Sequence, residues 1–257
     1  MSDLVLVQQF PTHAVCTLNQ PDKRNPISAA MRDALGAALE QLKTVKEVRS
    51  VIITGAGKAF CSGLDLEALA QQTKLWESAH LADSNSIADF FNYVLKYPKP
   101  VIAAVNGPAI AGGCGLAMMC DVTIASADAS FSFSEVKIGF VPAIVGVYLE
   151  RIVGLKHARE MLLTARKIPA VEALQCGLIN EVVPAEQLMV RATTLADAIS
   201  KNAPAAMATT KDLISRTLNV PLDKALELAV EVNARARKSP ECAEGINAFL
   251  QKRPPNW

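Results

Sequence analysis

Along the first two-thirds of the chain, short apolar runs of period two alternate with stretches whose apolar residues recur every three or four positions. Leu4 to Gln9 and Ala14 to Leu18 predict two strands joined as a hairpin around Pro11-Thr12-His13. Asn25 is a good helix N-cap and Pro26 suits the first helical position, so Pro26 to Lys46 predicts a helix. Its apolar stripe is Ile27, Met31, Leu35, Ala38, Leu42 and Val45. Val51–Thr54, Val101–Val105 and Val122–Ala125 are charge-free β runs. Such runs separated by helices predict an α/β fold whose sheet is covered on both faces. Leu66 to Tyr97 reads as a polar helical region with weak periodicity, expected to be the most mobile part. From about Pro184 the pattern becomes wholly helical. Gln187–Lys201, Pro204–Thr217, Pro221–Lys238 and Pro240–Gln251 predict four helices, three of them opened by proline. This places an α/β core over residues 1–190 and a helical region over 191–257. The latter is short for an independent domain and is expected to pack on the core or on another subunit.

Composition narrows the function. Hydrophobic residues make up 51% and charged residues 20% of the 257, which excludes disorder and supports a large core. Lys and Arg (26) nearly balance Asp and Glu (25), so no global field attracts nucleic acid or an anionic membrane, and anion recognition must be local. The six cysteines are scattered without a C-x-x-C, and the three histidines are not at ligand spacing. Free buried thiols and no metal are the expectation. The stretch Pro100–Cys120 is uncharged and long enough to span a bilayer, but Asn106-Gly107-Pro108 breaks it. It reads as a buried strand, a loop and a buried helix. The first residues, MSDLVLVQQF, lack the features of a signal peptide. A cytoplasmic protein is expected.

Motifs for nucleotide-binding P-loops, dinucleotide folds, hydrolase elbows and zinc proteases are absent. Two glycine-bearing loops follow two buried strands. The first runs from Gly57 to Leu66, and the second from Asn106 to Leu116. Each passes from a strand into a helical pattern, where glycine exposes backbone N–H groups to a ligand. A helix beginning near Gly112 would aim its positive end there. Two converging N–H groups make an oxyanion hole. Taken singly, each loop reads as an ordinary turn; their equivalent placement points to function. A third candidate is Phe131-Ser132-Phe133-Ser134-Glu135. If it is extended, Phe131, Phe133 and Glu135 share one face. A carboxylate in such apolar surroundings has a raised pKa and suits proton transfer near neutral pH. Glu135 alone reads better as a surface residue at a strand end, with Lys137 nearby.

Six ordered segments together resemble the enoyl-CoA hydratase/isomerase (crotonase) superfamily. They are Leu18–Pro26, Lys58–Leu66, Pro100–Gly107, Ala111–Asp121, Phe133–Gly139 and Glu244–Arg253. The resemblance implies a spiral of ββα units followed by helices that mediate a homotrimer, usually paired into a hexamer. It implies an acyl-CoA thioester substrate with no separate cofactor. It places the oxyanion hole at the N–H groups of Leu64 and Gly112 and the general acid/base at Glu135. It also puts Lys23, Arg24, Ser62, Leu64, Asp65 and Leu66 along the CoA path, with Phe249 and Lys252 reaching CoA, often from a neighbouring subunit. Each of these cations reads nearly as well as a solvated surface charge.

One position departs from the pattern. Hydratases of this family usually carry a first glutamate where this chain has Gly115. Enoyl-CoA hydratase remains the expected activity, with a single-glutamate Δ3,Δ2-enoyl-CoA isomerase as the alternative. A non-catalytic acyl-CoA-binding or RNA-binding member is the reading from another class. Ala109, Ala111 and Ala143 are candidates for shaping the acyl pocket.

Overall fold

The computed structural model describes residues 3–65, 69–70 and 76–257. Residues 66–68 and 71–75, Leu66 among them, lie outside the described residues; they fall at the start of the segment expected to be mobile. The hairpin forms as expected from β1 (Val5–Gln9) and β2 (His13–Leu18). Beyond it every neighbour in the main sheet is parallel: β2, β3 (Ser50–Gly55), β4 (Val101–Val105), β6 (Val122–Ser126) and β9 (Glu181–Val183). The register sets Val51 beside Val101 and Ile102 beside Val122. A second, three-stranded sheet joins β5 (Ala109–Ile110), β7 (Ser130–Ser132) and β8 (Ile168–Pro169).

Alternation along the strands divides the core. Val51, Ile53, Val101, Ala103 and Val105 face the larger cluster, whereas Ile52, Ile102, Ala104 and Ile124 face a smaller one. Helix α1 (Ala29–Thr44) packs Met31, Leu35, Leu39 and Leu42 into the larger cluster. Helix α2 (Glu77–Leu95) adds Ile87, Phe90, Phe91 and Val94. Helix α3 (Gly112–Met119) is buried at every residue. Two further helices, α4 (Ala143–Thr164) and α5 (Ala170–Gln175), complete that side. The smaller cluster is covered by Leu188, Ala192 and Ala196 of α6 (Leu188–Ser200). Three helices follow: α7 (Pro204–Thr217), α8 (Leu222–Ala236) and α9 (Pro240–Leu250). Neither α7 nor α8 buries a residue within this chain.

The start of α1 differs from expectation. Ser28, not Asn25, is the N-cap, and its Oγ accepts from Met31 N at 3.2 Å. Asn25 is fully buried in a left-handed conformation (φ 54°). Its amide donates to the carbonyls of Ala56 and Ala59, both at 2.9 Å, and its Oδ1 accepts from Gln20 N. A buried side-chain amide must be paired. Three backbone groups of neighbouring loops claim it more strongly than a helix end that Ser28 already caps.

All six cysteines are free thiols. Among the described residues no helix is long and apolar enough to cross a membrane, and no cluster of His, Cys, Asp and Glu could hold a metal.

Candidate active site

The loop after β3 folds back against the loop after β4. Phe60 N and Cys61 N both donate to Pro108 O, and Ile110 N donates to Cys61 O at 2.9 Å. Gly63 (φ 86°) then turns the chain, and its carbonyl accepts from Ile27 N at 2.7 Å. In a trans peptide C=O and N–H point opposite ways. The bond from Ile27 therefore aims the Leu64 N–H away from Ile27. The second loop uses the same device. Ala111 carbonyl accepts from Gly115 N at 3.1 Å, so the Gly112 N–H points out of the N-terminus of α3. Ala111 N itself is fixed on Ser132 O at 2.7 Å. Among the described residues, neither Leu64 N nor Gly112 N donates to a protein acceptor. The two loops come close: a Cβ built on Gly112 would stand 3.9 Å from Leu64 N. Gly113 is obligatory behind them, because any Cβ there would strike the backbone of Cys61. The structure thus brings together two unengaged donors that the sequence placed 48 positions apart, at Leu64 and Gly112, with the helix dipole behind one of them.

Glu135 reaches the same place by a route other than the one expected. The strand stops at Ser132, and Ser134 (φ −92°, ψ 3°) turns the chain into a 3-10 helix over Glu135–Ile138. Phe131, Phe133 and Glu135 therefore do not share a strand face. The two phenylalanines enter the core, and the turn swings Glu135 into a cavity beside Leu64 and Gly112. Glu135 is 7% exposed, and its Oε2 is buried without a hydrogen-bond partner. Burial pushes its carboxyl above the ordinary value, against a weaker opposing backbone hydrogen bond.

The cavity measures about 160 Å³. Ser84, Ile87 and Phe91 of α2 form one wall, on one helical face, and Phe140 to Val145 form another. Glu135 is the one ionisable residue among the described residues that line it. Gly115 lies behind this wall. A Cβ there would stand 2.7 Å from Phe91 Cζ and 2.9 Å from Val145 Cγ1. The place that a first glutamate would occupy is filled by hydrocarbon.

Lys23 and Arg24 lie beside the first loop. Ser62 N donates to Arg24 O at 2.9 Å, and Ser62 Oγ donates to Lys23 O at 3.3 Å. Asp65 follows Leu64, and its carbonyl accepts from Leu69 N. Leu66 lies outside the described residues. Phe249 is 83% exposed near the end of α9, with Lys252 just beyond it at φ 53°; neither lines the cavity of its own chain. Ala143 lines the cavity, Ala109 is buried away from it, and Ala111 contributes through its backbone. Sequence reasoning missed Ile87, Phe91 and Val145. The four-residue spacing of Ile87 and Phe91 was the available signal, hidden in a helix with weak overall periodicity.

Comparison with known proteins places the chain. Residues 12–257 match the profile of the family described as enoyl-CoA hydratase/isomerase. A Thermus thermophilus protein provisionally named an enoyl-CoA hydratase is 43% identical over 244 residues, 95% of this chain and 96% of that one. The short-chain-enoyl-CoA hydratase of Clostridium acetobutylicum is 34% identical, covering 97% of this chain and 95% of that one. The crystal structure of an enoyl-CoA hydratase from Mycobacterium smegmatis superimposes with a TM-score of 0.93 at 34% identity, covering 99% and 98% of the two chains. The chain belongs to the enoyl-CoA hydratase/isomerase family.

Proposed function

We propose that this protein is an enoyl-CoA hydratase, adding water reversibly across the double bond of a 2-enoyl-CoA thioester. The carrying observation is the convergence of two unengaged N–H donors with a buried, partnerless carboxylate oxygen on one small apolar cavity. Leu64 N and Gly112 N receive the thioester oxygen as it gains charge, each donor being worth ~3 kcal/mol in the transition state. Glu135 takes a proton from water as the water oxygen bonds to Cβ. The π pair moves toward Cα and the thioester oxygen, giving an enolate held by the two donors. The protonated Glu135 then delivers its proton to Cα. Hydroxyl at Cβ and hydrogen at Cα balance the addition with one carboxylate. CoA is part of the substrate, and no further cofactor enters the reaction. Lys23, Arg24, Ser62, Asp65 and Leu66 are proposed to follow the CoA moiety. Phe249 and Lys252 are proposed to reach it from a neighbouring subunit.

A second reading is favoured by the packing at Gly115. With hydrocarbon in place of a first carboxylate, Glu135 could instead move a proton from the α to the γ carbon of a 3-enoyl-CoA. The test follows crotonyl-CoA and a 3-enoyl-CoA separately by absorbance and product mass. A gain of one water on crotonyl-CoA is the expected result. Conversion of the 3-enoyl ester without mass change, and no hydration, would make the protein an isomerase. Glu135→Gln should lower turnover by about 10² to 10⁴ while acyl-CoA affinity persists. Unchanged turnover removes Glu135 from the chemistry, and CoA binding without turnover by the unaltered protein marks a non-catalytic member.

We further infer a cytoplasmic homotrimer or a dimer of trimers, with the site carried by residues 1–190 and assembly by 191–257. Exposed Leu222, Leu226 and Val230 on α8 and Ile246 and Leu250 on α9 support that reading.

A further inference from the structure

Phe91 occupies an unusual place. It is 1% exposed, yet it lines the cavity that holds Glu135. Its ring reaches that wall because the residue behind it has no side chain. Gly115 sits in the middle of a buried helix at ordinary helical angles, where no turn or positive φ demands glycine. What demands it is contact: a Cβ would stand 2.7 Å from Phe91 Cζ and 3.0 Å from Cε2. Real Cβ atoms do not approach so closely, so any side chain at 115 must displace the ring. Val145 Cγ1, at 2.9 Å from the same point, closes another direction. Close-packed interiors transmit such a displacement rather than absorb it. The ring borders the cavity, so a push from position 115 can carry it into that space.

We propose that Phe91, admitted by Gly115, is the gauge of the acyl pocket: the ring sets how many carbons of the acyl group are buried beyond the reacting thioester. The inference rests on the acyl-CoA reading above and adds to it a specificity-determining pair. Each methylene that finds apolar cover tightens binding roughly fourfold. The gain per carbon should end where the chain meets the Phe91 ring.

The experiment measures binding of saturated acyl-CoAs, from acetyl to octanoyl, by calorimetry, so that no chemical step enters. In the unaltered protein, affinity should rise with chain length and then level off. Phe91→Ala should extend the rise by about two carbons, which is roughly fifteenfold in affinity for the longer thioesters. Gly115→Ala should end the rise earlier, and Phe91→Ala/Gly115→Ala should recover the longer range, a non-additive outcome that two independent sites would not give. Phe91→Leu serves if the alanine variant does not fold, with a smaller extension expected. Folded Phe91 variants with the levelling point of the unaltered protein would overturn the proposal while leaving the thioester reading intact. Absence of acyl-CoA binding by the unaltered protein would overturn the thioester reading itself, and this inference with it.

Discussion

Glu135 is held where its charge is costly. Folding raises its pKa through burial, so the folded chain binds that proton more tightly than the unfolded chain. Its contribution to stability is fully present below the unfolded pKa and is lost as pH rises through the folded one. Glu135→Gln should therefore be more stable than the unaltered protein at neutral pH, and the difference should vanish in acid. Denaturant melts across pH check this, and equal midpoints at pH 7 would contradict it. The same shift sets the activity profile: kcat/KM should fall on the acid side with an apparent pKa above that of a free carboxylate. Opposite behaviour is expected at Gly115. Gly115→Glu must fit a side chain against Phe91 and Val145 and should cost at least about 1–3 kcal/mol in stability. The residue types of this site were legible in the chain, since Glu135 and both glycine loops stood out. The packing at Gly115 was not. A missing side chain in sequence looks like a vacancy, and only coordinates show Phe91 filling it.

At the scale of elements, local pattern served well where one force dominates. The hairpin, the buried strands and the C-terminal helices fell where hydrophobic period and proline put them. It failed where a polar residue had two possible employers. Asn25 has the chemistry of a helix cap, but the carbonyls of Ala56, Ala59 and Phe60, far along the chain, outbid the helix for its amide. Its loss should be felt at a distance: Asn25→Ala should cost about 1–3 kcal/mol and loosen the loop that carries Leu64. Hydrogen exchange at Cys61 and Ile110 amides, both held between the two loops, should accelerate more than in Ser28→Ala. The latter removes the real cap and should cost ~1 kcal/mol. Glu135 fails in the same way. Period two over Phe131–Glu135 suggests a continued strand, but it cannot foresee the turn at Ser134 that ends it.

The whole molecule carries an apolar asymmetry. The chain through α6 closes around the two clusters, while α7 and α8 leave Ile214, Leu222, Leu226 and Val230 exposed. Sedimentation velocity should show a trimer or twice that mass; a monomer at micromolar concentration would remove the proposed assembly. Sequence showed that these helices exist but not what covers them, because an amphipathic stripe looks the same whether its partner is the same chain or another. The smaller cluster has a separate consequence, in the order of synthesis. Ile52, Ile102 and Ile124 lie on strands made early, whereas the helix that covers them, α6, is made near residue 200. A ribosome must therefore extend the chain well past the site residues of both loops before that strip of isoleucine leaves water. Until then that strip stays exposed, and a version ended after Val183 should partition to the insoluble fraction despite containing Leu64, Gly112 and Glu135.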